Sequence, residues 1–129
     1  MKRIKSISEE RLIIEGRVND KDAYFLIDTG ASVGMMDYGK RYDYDLKVGR
    51  RYGGTLMGVG GEMRNVRHCD TFLHVGDRVV PQFLLADISG VVESIQRETG
   101  IEILGIISLP QMKMCGISLD CNDNLIIIE

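Results

Sequence analysis

Three large apolar residues, Phe25, Leu26 and Ile27, run straight into Asp28, Thr29 and Gly30, with Ala31 and Ser32 behind them. An apolar run of this kind reads as a buried strand, and a Thr-Gly pair reads as a tight turn. The fold must therefore deliver one carboxyl group from a strand end into a turn. Burial raises a carboxyl pKa and neighbouring hydrogen-bond donors lower it, so such a position suits an acid that has to exchange protons. Asp-Thr-Gly occurs once in the chain. A reaction that needs two such acids must take the second from another copy.

The rest of the chain reads as strands and glycine turns. Fifteen glycines stand against two prolines in 129 residues, a bias that many short strands with glycine-rich connections would produce. The length suits one ordinary domain. Residues 11–18 and 23–28 read as two strands joined across Asn19-Asp20-Lys21-Asp22. Residues 33–47 mix Met35, Met36 and Tyr38 with charged residues and fit a short helix or an irregular connection equally well. Residues 53–63 read as a hairpin with a glycine-rich tip at Gly60-Gly61. Residues 67–75 and 78–85, separated by Gly76-Asp77, read as a further hairpin. Ser89 is the expected N-cap of a helix over 89–99, with Val91, Val92 and Ile95 as its buried stripe and Gly100 as its stop. Residues 101–107 are apolar apart from Glu102 and are interrupted by Gly105. A last hairpin joins 116–120 to 125–128 across Asn122-Asp123-Asn124.

Charge and cysteine content exclude several classes. A net charge of −3 with both signs interspersed gives no basic footprint for nucleic acid. No apolar run approaches membrane-spanning length. The basic start at Lys2, Arg3 and Lys5 has no apolar segment behind it, so no signal peptide is visible and a cytoplasmic location is favoured unless a leader has been removed. Cys69, Cys115 and Cys121 are odd in number and read as reduced thiols. His68-Cys69-Asp70, with His74 near it, lacks the paired Cys-x-x-Cys spacing of zinc sites. No metal and no other cofactor is expected.

Three features then fall in order: Asp28-Thr29-Gly30, the glycine-tipped hairpin, and the apolar-apolar-Gly segment Ile103-Leu104-Gly105. In this the chain resembles the retropepsin-like aspartyl proteases, from about Leu12 to Ile128, and Leu26-Ile27-Asp28-Thr29-Gly30-Ala31-Ser32 is the most specific part of the likeness. The resemblance implies a mostly β fold over 1–129, a retropepsin-like acid-protease barrel with one or two short helices. It makes Asp28 the catalytic acid. Thr29 would cross-link the two turns of a dimer, and Gly30 would let the backbone approach the carboxylates. Ala31 and Ser32 would line the substrate floor, and Gly58, Val59, Gly60 and Gly61 would form a flap over the peptide. Ile106 and Ile107 depart from the pattern, because the family often carries Arg, Asp or Asn just after that glycine. The charged, tyrosine-rich stretch from Tyr38 to Tyr52 is also unlike a compact viral protease.

The need for two carboxyl groups has a chemical basis of its own. Metal-free peptide hydrolysis takes a base to activate water and an acid to protonate the carbonyl or leaving group. Two carboxyls held about 3 Å apart share one proton and supply both. The expected activity is therefore that of a homodimeric aspartic endopeptidase on a peptide or protein substrate, with paired Asp28 residues on the two-fold axis. The alternative is a retropepsin-like dimerisation or peptide-binding module that no longer cleaves. A third reading, with Asp28 merely capping a turn in an unrelated ligand-binding β-barrel, lacks the flap and the apolar-Gly segment as necessary parts.

Overall fold

The computed structural model describes residues 1–58 and 61–129. Its strands are β1 (Lys2–Lys5), β2 (Ile13–Val18), β3 (Lys21–Asp28), β4 (Gly34–Asp37), β5 (Val48–Arg51), β6 (Met57–Gly58) and β7 (Gly61–Glu62). They continue as β8 (Arg67–Cys69), β9 (Leu73–Val75), β10 (Arg78–Val80), β11 (Phe83–Ala86), β12 (Gly105–Ser108), β13 (Ile117–Asp120) and β14 (Leu125–Ile128). Helix α1 spans Ser89–Thr99 and helix α2 spans Leu109–Cys115, and a single 3-10 turn covers Tyr38–Lys40.

β2 and β3 form the expected hairpin, closed by the Val18↔Lys21 pair. Its two loop residues, Asn19 and Asp20, have φ of 50° and 64°. Those are the left-handed conformations that a type I′ turn demands and that Asn and Asp tolerate better than most residues. Alternation in β2 buries Ile14, Gly16 and Val18 and exposes Glu15 and Arg17.

Nine strands make the principal sheet, in the order β10-β9-β2-β3-β12-β4-β11-β8-β5. β12 lies between β3 and β4, parallel to the first and antiparallel to the second, and β4 runs parallel to β11. The sheet curls without closing into a continuous barrel, since β10 and β5 end it. A second sheet, β1-β14-β13, ties the two ends of the described chain together through Lys2↔Ile128 to Lys5↔Leu125.

Successive side chains of a strand alternate between faces, and the core divides accordingly. Ile14, Phe25, Ile27, Met36, Phe83 and Ile107 belong to the larger cluster. Within it the Phe25 and Phe83 rings stand 5.4 Å apart, tilted at 55°. Ile13, Leu26 and Ile106 face the other way, against Val92 and Ile95 of α1. Ile106 and Ile107 are therefore both core residues on opposite faces of one strand, which is why neither is polar.

Several expectations need correction. Ser89 is the first residue of α1, and Ile88 occupies the cap position. The capping bond comes from Asp87, whose Oδ1 accepts the Ser89 N–H at 3.0 Å. Val91 is exposed, so the buried stripe of α1 is Val92 and Ile95. The hairpin expected over 67–85 is shorter: β9 and β10 pair across Gly76-Asp77, whereas β8 pairs with β11. Residues 33–47 prove to be strand, 3-10 turn and loop in succession.

Candidate active site

Asp28 is the last residue of β3, and in the parallel β12–β3 ladder it stands opposite Ser108. Two neighbouring strands fix that end of β3. Ile27 N donates to Leu12 O at 2.9 Å on one side, and β12 holds the other. The chain then reverses. Gly30 N donates to Asp28 Oδ1 at 2.9 Å, and Ala31 N donates to Asp28 O at 3.1 Å. These are the bonds of an Asx-type turn, in which the acid side chain takes the place of a backbone acceptor. A Cβ on Gly30 would lie 3.3 Å from that same Oδ1, so glycine leaves the backbone close to the carboxylate.

Asp28 is half-buried, whereas Thr29, Gly30 and Ser32 are exposed and Ala31 is intermediate. One carboxylate oxygen is held by the turn. Among the described residues nothing in the chain hydrogen-bonds the other oxygen or the hydroxyls of Thr29 and Ser32. The turn thus presents an anchored carboxylate and two hydroxyl groups on one open surface. Strand alternation places Asp28 on the face of Leu26, the side covered by α1.

A buried polar brace stands behind the turn. Ser108 is 1% exposed, and its Oγ and N both donate to Gln111 Oε1, at 3.0 and 2.9 Å. Gln111 N returns a bond to Ser108 Oγ at 3.4 Å, completing a capping box at the start of α2. Gln111 Nε2 donates onward to Pro81 O at 2.8 Å. Leu109 N donates to Ala31 O at 3.3 Å, so the first turn of α2 grips the loop that carries the Asp28 motif. Sequence reasoning missed this brace, although Ser108-Leu109-Pro110-Gln111 carries the S-x-x-Q signature of a capping box.

Two other charged residues, one beside the turn and one at the far end of the central strands, also escaped notice. Arg11 donates from Nε to both carboxylate oxygens of Glu98 on α1, at 3.1 and 3.0 Å. That bond raises the Arg11 pKa, with a smaller contribution from the charge of Asp28. Asp37 is 4% exposed at the end of β4, and its Oδ1 accepts from Ile88 N at 3.3 Å and Gly39 N at 3.4 Å. It ties the entry of α1 to the central strands.

The hairpin of β6 and β7 pairs Met57↔Glu62 and Gly58↔Gly61. Its base is closed by Met63 N donating to Leu56 O at 2.8 Å. Met63 packs against the same apolar cluster as Ala31 and Met35, on the Asp28 face of the sheet. Gly58 and Gly61 thus sit in the expected hairpin, Gly61 of the expected tip pairing with Gly58, while Val59 and Gly60 lie outside the described residues.

Cys69 is buried, with its thiol toward Thr71 O and Met36 Sδ. His68 meets the Tyr52 ring edge-on at 5.7 Å. Among the described residues no cluster of three His, Cys, Asp or Glu side chains is arranged to hold a metal ion. Likewise no described helix is long and apolar enough to cross a membrane.

No protein-family model matches the chain, and no curated protein matches it. Solved structures do. EIAV protease in complex with the inhibitor HBY-793 is similar at 21% identity and a TM-score of 0.64, over 91% of this chain and 99% of that one. The retroviral protease-like domain of Ddi1 from Leishmania major is similar at 18% identity and a TM-score of 0.60, over 92% and 88%. A retropepsin-like aspartic protease from Rickettsia conorii is similar at 17% identity and a TM-score of 0.58, over 97% and 87%. The chain has the retropepsin-like fold.

Proposed function

We propose that the protein is an aspartic endopeptidase that works as a homodimer, with Asp28 of each copy meeting at the two-fold axis. The observation that carries this reading is the Asp28 turn itself. Its carboxylate is pinned through one oxygen by Gly30 N, half-exposed at a strand end, and flanked by exposed Thr29 and Ser32 hydroxyls. The likeness to structures described as retroviral or retropepsin-like proteases supports the same reading.

Because the motif occurs once, one copy supplies one carboxyl group. In the dimer one Asp28 carboxylate takes a proton from water as it attacks the scissile carbonyl. The other, protonated, donates to the carbonyl oxygen, and the amine leaves with a proton returned from the pair. Thr29 would hold the two turns together, Gly30 would keep the backbone clear, and Ala31 and Ser32 would form the floor under the peptide. The hairpin of residues 58–61 would close over it as the flap, expelling water from the reacting bond.

The test pairs assembly with chemistry. Sedimentation should show a dimer, and a peptide library should be cleaved by the wild type and left intact by a folded Asp28→Asn protein. The amide is nearly isosteric and cannot exchange the proton, so dimerisation should be unchanged or tighter, because like charges are removed from the axis. Activity should be favoured in mild acid, in a bell-shaped profile belonging to the pair. A strict monomer, or full cleavage by folded Asp28→Asn, would overturn the proposal.

A further inference from the structure

A cleft of about 690 Å³ opens between the hairpin base, β5, β8 and the entry of α1. None of residues 28–32 lines it. Arg51, Arg64 and Arg67 do, together with Glu62 and Asp87. Arg51 and Arg67 are direct cross-strand partners in the antiparallel β5–β8 pair. Cross-strand partners project to the same face, and like charges placed so are destabilising. The chain therefore keeps a repulsive pair where one neutral residue would remove the cost.

No ion pair among the described residues engages the pair. The ion pairs among the described residues are Arg11–Glu98, Arg17–Asp22, Lys21–Asp45 and Lys40–Glu102, and none of them uses these three arginines. Arg67 is nonetheless positioned, because its Nε donates to Gly49 O at 3.0 Å across the strand pair. That bond leaves the two terminal nitrogens for another acceptor. The guanidinium is a planar fork that matches a carboxylate or phosphate.

The acidic residues decide between those anions. Asp87 is held below the usual carboxylate range by its hydrogen bonds with Ser89, so it is ionised at neutral pH. Glu62 carries a second negative charge on the cleft wall. Two carboxylates on the wall repel a compact phosphate dianion, yet they accept hydrogen bonds from peptide N–H groups. A ligand with one acidic side chain on an extended backbone satisfies both kinds of wall.

We propose that this cleft binds an acidic peptide segment, with a Glu or Asp carboxylate seated between Arg51, Arg64 and Arg67 and the adjoining backbone N–H groups on Glu62 and Asp87. The site is separate from the Asp28 turn and does not depend on peptide cleavage. Since Glu62 ends β7, an occupied cleft also loads the base of the hairpin.

The test uses the full-length Asp28→Asn protein, so that no probe is consumed and the fate of the catalytic reading does not affect the result. A blocked peptide, acetyl-Ala-Ala-Glu-Ala-Ala-amide, is titrated while backbone amide shifts are followed, alongside its Gln counterpart and inorganic phosphate. The Glu peptide should produce saturable shifts centred on Gly49, Arg51 and Arg67. The Gln peptide, Arg51→Gln and Arg64→Gln should each weaken binding about tenfold, the loss of one charge-assisted contact. At low salt Arg51→Gln should melt no lower than its parent, since it removes a repulsion. Equal binding of the Glu and Gln peptides, or unchanged binding by both variants, would overturn the proposal. So would phosphate binding as tightly as the Glu peptide, or a clear fall in melting temperature on Arg51→Gln.

Discussion

A Cβ added to Gly105 would stand 2.1 Å from the carbonyl oxygen of Met35 and 2.9 Å from Cε2 of Phe25. β12 can lie between β3 and β4 only because residue 105 has no side chain. Here the glycine serves close approach, and its φ is not in the left-handed range. Gly105 also precedes Ser108 by one strand length, so this contact sets the register that puts Ser108 opposite Asp28.

Gly105→Ala should therefore destabilise the protein by about 3 kcal/mol, the upper end of overpacking costs. The clash is with backbone, which cannot rotate away as a side chain can. Denaturant unfolding would measure the loss, and activity in the surviving folded fraction should fall as the Asp28 turn shifts. A stability within experimental error of wild type would mean that the β12–β3–β4 packing is looser than described.

The Ser108–Gln111 box invites a second substitution. Ser108→Ala removes a helix cap and takes from the buried Gln111 Oε1 one of its two donors, both of which come from Ser108. Loss of a cap costs about 1 kcal/mol, and the weakened acceptor adds to that, so about 2 kcal/mol is expected from thermal or chemical unfolding. The Ser108 N–H remains and keeps one bond. If α2 positions the Asp28 loop through Leu109 N and Ala31 O, turnover should drop while peptide affinity changes little.

Much of this was legible beforehand, for local reasons. The β2–β3 hairpin announces itself through alternation, Asn19-Asp20 and the apolar run into Asp28, and the β13–β14 hairpin through Asn122-Asp123-Asn124. What stayed hidden is non-local or short. β1 is Lys2-Arg3-Ile4-Lys5, with no β signature, and becomes a strand because β14 offers it an edge. The seven residues of α2 are too few to show helical periodicity. Asp37 looked like one more charge in a mixed segment; only the meeting of β4 with the start of α1 explains why it is buried. Ser89 is a good cap by residue type, but Asp87 accepts the Ser89 N–H and Ser89 itself begins the helix.

That Asp87 bond gives a pH-dependent term. The hydrogen bonds with Ser89 lower the Asp87 pKa from its ordinary value of 3.8. A carboxyl whose folded pKa is depressed adds stability above its unfolded pKa and loses it as pH falls through the lower, folded value. Asp87→Ala should thus destabilise the protein at pH 7 by under about 1 kcal/mol, as an exposed cap does. The difference between mutant and wild type should shrink below the ordinary value of 3.8. Paired melting curves at neutral and strongly acidic pH would check the sign; a gap that widens in acid would contradict it.

The cysteines allow a test of the core without any assay of function. Cys69 and Cys115 are buried, and burial pushes both thiols above their ordinary pKa. Opposing contributions from Thr71 at Cys69 and from Arg78 at Cys115 are smaller than the desolvation. The thiolate is the reactive form, so both should resist alkylation twice over, by inaccessibility and by protonation. Cys121 is exposed, in the turn between β13 and β14. Native protein treated with iodoacetamide near neutral pH should take up one label, at Cys121 by peptide mapping, and three after denaturation. Cys69 and Cys115 should then react only at the rate of global unfolding, because β8 and α2 are packed into the same core as Phe25 and Ile107. Fast labelling of Cys115 in the native state would show that α2 detaches on its own, and with it the brace behind Asp28.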